Sequence, residues 1–172
     1  MEDSELKKYA SKIAEKLYSA KFKTVIHGDA KIANFMVADD FSKVAGLDFQ
    51  WSGFGVGIVD VYYLLTSCFD EKSTGEYFPG EDEEQERKGM NQGLKFYFEQ
   101  LKNALIKLDK YDENMFKELE KEWTYLYPFI VADLQRFILG WKPNYFKLTG
   151  YTKAVSERAV AILRNEKNFD RK

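Results

Sequence analysis

The apolar positions of this chain fall into helical spacing over most of its length, with one interruption near the start. Between residues 3 and 20, Leu6, Tyr9, Ile13, Leu17 and Tyr18 recur at intervals of three and four with no internal proline or glycine, which predicts an amphipathic helix ended by residues 21 to 23. The pattern then shortens. Val25 and Ile26 predict a short buried strand leading into the polar turn of His27, Gly28 and Asp29, and residues 35 to 37 and 44 to 47 predict a hairpin joined through Asp39 and Asp40. A glycine-rich stretch at 51 to 57 reads as a loop whose glycines allow a tight turn.

Helical spacing resumes after it. The apolar run at 58 to 69 is short enough to fit a strand, but Asp60 near its start favours a helix, because a carboxylate can meet free amides at a helix N-terminus. Residues 70 to 80 read as a loop, and the acidic run at 81 to 86 begins a long helix through Leu94, Phe98, Leu101, Leu105 and Leu108. Asp112 or Asn114 caps a further helix from about 115 to 139 that offers Phe116, Leu119, Trp123, Leu126, Phe129, Ile130, Leu134 and Phe137 for packing. Pro128 lies inside it, so this helix is expected to kink or divide near Tyr127. A loop at 139 to 150 and a last helix at 151 to 165 complete the chain. There is no repeat or low-complexity linker, and 172 residues with 45% hydrophobic content suit one domain with one core.

Composition narrows the function classes. Twenty-six basic against 28 acidic residues give a formal charge of -2, with no general attraction to nucleic acid or anionic lipid. No apolar run approaches the roughly 20 residues needed to span a bilayer, and the N-terminus is acidic and polar, so an intracellular, cytoplasmic location is expected. Cys68 is the only cysteine, which rules out an intrachain disulfide and a thiolate metal cluster, and its apolar surroundings make it a core residue.

The chemistry gathers in residues 25 to 50, where Asp29, Asn34 and Asp48 lie on separate pieces of backbone, each beside an apolar segment. Phosphoryl transfer needs divalent cations on the phosphates and a carboxylate that orients the attacking hydroxyl and accepts its proton. Asp29 suits the second task. The Asn34 amide oxygen and the Asp48 carboxylate are hard oxygen donors of the kind magnesium prefers. His27 either braces the turn through hydrogen bonds or takes part directly, Lys31 either touches the transferred phosphate or faces solvent, and Asp60 can brace the loop from the following helix.

The constellation of His27, Gly28, Asp29 and Asn34, followed by residues 47 to 50 (LDFQ) and Asp60, resembles the catalytic half of the aminoglycoside phosphotransferase and choline kinase-like superfamily. That resemblance implies an α+β, mostly helical fold: a protein-kinase-like C-terminal lobe with a small β-hairpin carrying the catalytic and metal-binding loops. It implies an enzyme that uses ATP, or another nucleoside triphosphate, and magnesium to phosphorylate a small-molecule hydroxyl. Asp29 would then be catalytic, with His27 beside it. Asn34 and Asp48 would be metal ligands, Lys31 a nucleotide contact and Asp60 the structural support. The long C-terminal helices would form the acceptor side.

The family also has an N-terminal lobe with a phosphate-covering turn and a phosphate-pairing lysine, whereas one helix precedes the catalytic loop here. The glycines at 53 to 57 follow the metal-binding motif and lack the dinucleotide-turn spacing, so they cannot replace that lobe. The covering lobe is therefore expected from a separate chain or a homodimer partner, or the sequence is a fragment, with weak or no turnover alone. The alternative is a non-catalytic binding or regulatory protein. The acidic run at 81 to 86, and an aromatic cage drawn from Trp123, Tyr125, Tyr127, Trp141, Tyr145 and Tyr151, suit a cationic acceptor. A charge run is more often a solvated face, and such aromatics are also what a helical core or an exposed lobe interface uses. Some relatives with these motifs are steroid-alcohol kinases, and nothing in the residues identifies the acceptor.

Overall fold

The computed structural model describes residues 3–68, 83–109, 111–141 and 150–169. The order is α1 (Asp3–Tyr18), β1 (Thr24–Ile26), β2 (Phe35–Val37), β3 (Val44–Gly46), β4 (Gly53–Gly55), α2 (Ile58–Cys68), α3 (Glu83–Lys107), α4 (Glu113–Trp141) and α5 (Gly150–Phe169). The α+β, mostly helical architecture that the resemblance implies is what forms. Among the described residues no helix is long and apolar enough to cross a membrane. The expected loop at 70 to 80, residues 81 and 82 of the acidic run and Tyr145 lie outside the described residues.

The core is centred on α4. Phe129, Ile130, Val131 and Ala132 are consecutive and fully buried, so this helix is surrounded rather than amphipathic at its middle. Leu6, Tyr9 and Ile13 bring α1 against it, while Ala159, Val160 and Leu163 bring α5. Each such large side chain taken fully from water contributes roughly 1.5–3 kcal/mol. Asp112 caps α4, its Oδ1 accepting the N–H groups of Asn114 and Met115 at 2.8 Å. Of the two outcomes expected at Pro128, a kink or a division, division does not occur, and the helix runs unbroken from Glu113 to Trp141. Proline removes one backbone hydrogen bond and crowds the preceding turn at a cost of about 3 kcal/mol. Buried Leu126, Phe129 and Ile130 on either side of it offset that cost.

The β structure differs from expectation in two ways. The strands form two separate antiparallel pairs, β1 with β4 and β2 with β3, the latter being the expected hairpin. The glycine-rich stretch contributes β4, with Gly53 opposite Ile26 and Gly55 opposite Thr24, so its glycines run extended and the turn is made earlier, at Phe49–Trp51. Nor is β1 buried. Val25 is 68% exposed and its cross-strand neighbour Phe54 81%, so the face they share has no cover among the described residues.

Helix α4 also holds the chain that enters β1. The Glu122 carboxylate accepts the N–H groups of Lys21 and Phe22 at 2.7 and 2.9 Å, and the Trp123 indole donates to the Phe22 carbonyl at 3.0 Å. The start of β1 is thus anchored to the core, and the loop beyond it inherits that anchor.

Candidate active site

The loop after β1 is held from below by α2. The Asp60 carboxylate accepts the backbone N–H of His27 at 2.7 Å through one oxygen and that of Gly28 at 2.9 Å through the other. Ser67, two turns further along the same helix face, accepts the Ile32 N–H at 2.8 Å. One stripe of α2 therefore fixes both ends of the loop that carries Asp29. Gly28 sits at φ +80, where a side chain is disfavoured, and a Cβ there would run into the backbone carbonyl of Trp51.

His27 is buried and both ring nitrogens have backbone partners. Nε2 meets the Leu47 carbonyl at 2.7 Å and Nδ1 accepts the Asp29 N–H at a longer 3.4 Å, an arrangement of the neutral ring protonated on Nε2. The ring also packs on Phe49, 4.5 Å between centroids, and on Phe35 at 5.9 Å. It thereby ties the Asp29 loop to the segment that carries Asp48.

Asn34 is buried in the short helical turn Ile32–Asn34. Its Nδ2 donates to the Asp29 carbonyl at 2.8 Å and to Asp29 Oδ2 at 3.1 Å. With the amide nitrogen committed to Asp29, the amide oxygen is turned the other way and is a donor atom for a cation. The Leu47 N–H bonds to the Asn34 carbonyl at 2.9 Å, which brings Asp48, the next residue, to the same end of the β2–β3 hairpin. Asp48 is exposed and adopts a left-handed conformation, φ 60 and ψ 58, that aspartate tolerates better than most residues. Among the described residues no three His, Cys, Asp or Glu side chains cluster as a metal site. A cation here would rest on Asn34, Asp48 and oxygens from its ligand, the sparse protein coordination that suits magnesium bound with phosphate.

The Lys31 ammonium lies 2.6 Å from Asp29 Oδ2, a half-exposed ion pair that closes the carboxylate's open side. The structure thus brings His27, Asp29, Lys31, Asn34 and Asp60 into one bonded network, with Asp48 reached through Leu47. The six aromatic residues considered for a cage do not gather among those described. Trp123 stacks on Tyr97 in the core, Tyr127 and Tyr151 bond to each other through their hydroxyls at 2.9 Å, and Tyr125 lies at the exposed end near Lys16.

Sequence reasoning missed four residues of this region. Ser67 and Tyr63 lie three or four residues apart on the stripe begun by Asp60, a periodicity that was available. Asp133 and Arg136, paired at 2.8 Å on α4, are some 70 positions further on in sequence and gave no local signal. Burial raises the Tyr63 hydroxyl far above the usual tyrosine range, and the carboxylates of Asp133, Asp29 and Asp60 push the same way.

Comparison with curated proteins and with solved structures gives no match. The model of the ecdysteroid kinase-like family matches residues 2–110, a span that contains every residue of the site from His27 to Asp60. The chain belongs to the ecdysteroid kinase-like family, within the choline kinase and protein-kinase-like superfamily.

Proposed function

We propose that this chain carries the catalytic centre of a magnesium- and ATP-dependent phosphotransferase acting on a small-molecule alcohol. The observation that carries the reading is the pair of hydrogen bonds from Asn34 Nδ2 to the carbonyl and the carboxylate of Asp29, which holds the base in place and leaves the asparagine oxygen as a cation ligand. In this reading Asp29 orients the acceptor hydroxyl and takes its proton, while Asn34 and Asp48 hold magnesium against the phosphates. His27 acts by bracing, since its nitrogens are engaged by backbone. Lys31 leaves Asp29 to meet the transferred phosphate when nucleotide arrives. The family name suggests a steroid alcohol as acceptor, and a nucleotide-using enzyme of this kind suits the cytoplasm.

Catalysis also requires the triphosphate to be covered and water excluded. The exposed apolar side chains of the strand pairs, Val25, Phe54, Met36 and Val44 among them, support a covering partner, either a separate nucleotide-binding lobe or a second copy of the chain. Alone, the chain turns over slower than about 1 per second.

Calorimetry of ATP binding with magnesium, on the chain and on Asp48→Ala, tests this. Magnesium-dependent binding that disappears in the variant is the expected result. A folded chain that ignores millimolar ATP sinks the reading. The second reading, a non-catalytic binding protein, draws on the Lys31 to Asp29 ion pair, which occupies the carboxylate a catalyst would keep free.

A further inference from the structure

Helix α2 grips the catalytic loop twice, and the second grip falls on the turn that carries the candidate cation ligand. Ser67 follows Asp60 by two turns of α2, which sets the grips about 10 Å apart along a rigid helix. The Ser67 hydroxyl donates to the Leu64 carbonyl of its own helix at 2.8 Å and accepts the Ile32 N–H at 2.8 Å. With its proton committed within α2, the oxygen faces the loop as an acceptor.

Ile32 opens the short helical turn Ile32–Asn34. The first N–H groups of a helical turn have no partner inside it, and the side chain just ahead commonly accepts one. Here that residue is Lys31, whose side chain has no acceptor and makes no cap, pairing with Asp29 instead. Ser67 supplies an acceptor from another helix. Burial of Ile32 does not do the same work, since it is 38% exposed. At the other end of the turn, Asn34 bonds through its N–H to the Lys31 carbonyl, through its carbonyl to the Leu47 N–H and through Nδ2 to Asp29. Those bonds join parts of the site to one another. The Ser67 bond joins the turn to a helix that Ile58 and Tyr62 bury in the core.

We propose that Ser67 is the positioning residue for Asn34: by capping the turn from α2 it holds the Asn34 amide oxygen in register with Asp29, and so sets how tightly the site takes its cation. Asp60 then serves the base and Ser67 the cation ligand. The inference rests on the phosphotransferase reading for the cation alone. The bond to Ile32 lies at the exposed side of the loop, so water can take the place of a deleted hydroxyl and the fold survives while the turn gains freedom. Deleting such an outer partner of a metal ligand typically weakens metal binding by about 10- to 100-fold.

The test uses the parent chain, Ser67→Ala and Ser67→Thr, each shown to be folded by circular dichroism. Calorimetry follows ATP binding at increasing magnesium and without it. Ser67→Ala is expected to need at least about tenfold more magnesium for half-maximal ATP binding, with metal-free binding unchanged. Ser67→Thr, which keeps the hydroxyl, is expected to recover the parent's requirement. An unchanged requirement in Ser67→Ala, equal weakening with and without magnesium, or a loss that Ser67→Thr does not recover overturns the proposal. A second measurement needs no nucleotide. The Asn34 side-chain amide signals in NMR of the isotopically labelled chain, assigned by their loss in Asn34→Ala, are expected to shift in Ser67→Ala and to return in Ser67→Thr. A folded parent that ignores magnesium–ATP removes the phosphotransferase reading, and these signals then decide the positioning alone: unmoved in Ser67→Ala, they overturn it.

Discussion

Asp60 and His27 are joined by a 2.7 Å hydrogen bond from the His27 backbone N–H, 33 positions away in sequence, and the second Asp60 oxygen takes the Gly28 N–H as well. A carboxylate gripping two consecutive amides fixes the direction in which the next residue, Asp29, leaves the loop. Asp60→Ala should cost about 3 kcal/mol of stability, since it strands two amides and removes two charge-assisted bonds, and Asp60→Asn about half that. Urea unfolding measures both. Asp60→Asn should also weaken magnesium–ATP binding while remaining folded, and unchanged stability in Asp60→Ala would mean that the loop is held by its other contacts.

Gly28 provides a second check on the same turn. Its positive φ and the Trp51 carbonyl in the path of any Cβ make two independent penalties. Gly28→Ala should destabilise by roughly 2 kcal/mol or more. Gly53→Ala, where a Cβ meets nothing within 4 Å, should stay within about 0.5 kcal/mol of the parent. Equal effects in thermal unfolding would argue against the close approach at Trp51.

What the sequence revealed follows from how local each cause is. The helices are set by spacing within one turn or two, so α1, α3 and α5 were legible from Leu6, Phe98 and Val160 and their neighbours. The candidate site was legible as a cluster because Asp29, Asn34 and Asp48 lie within 20 positions. Strand β4 was hidden, since Gly53 and Gly55 have no side chains to signal a strand and are extended by pairing with residues some 30 positions earlier. Pro128 left both a kink and a division open, and burial around Phe129 keeps the helix undivided. The juxtaposition of Tyr63 with Asp133 depends on how α2 crosses α4, which no short window contains.

Val25 and Phe54 face one another across β1 and β4 and are both largely exposed. If this face is the seat of a covering lobe or second copy, charging it should abolish association and leave the fold intact. Val25→Lys combined with Phe54→Glu should change unfolding free energy by no more than about 1 kcal/mol. Light scattering after size-exclusion chromatography should then show loss of any dimer or complex that the parent chain forms. A complex that persists in the double variant would place the interface elsewhere.

Four tyrosines predict how the fold fails in alkali. Burial pushes the Tyr97 hydroxyl up to about 12, helped by the nearby Asp60 carboxylate, and pushes Tyr62, Tyr63 and Tyr127 higher still. In the unfolded chain each would ionise near its ordinary value of about 10. Below that pH both states keep their phenolic protons and these groups leave stability unchanged with pH. Above about pH 10 the unfolded chain releases protons that the folded chain retains, so the unfolding free energy falls with rising pH, through about 12 for Tyr97 and beyond for the others. Denaturant midpoints at a series of pH values should therefore decline steeply over this range, and phenolate absorbance from these residues should appear together with unfolding. Tyr97→Phe should flatten the decline because it removes one of the protons released. Gradual phenolate formation in a chain that stays folded would show that these hydroxyls reach solvent.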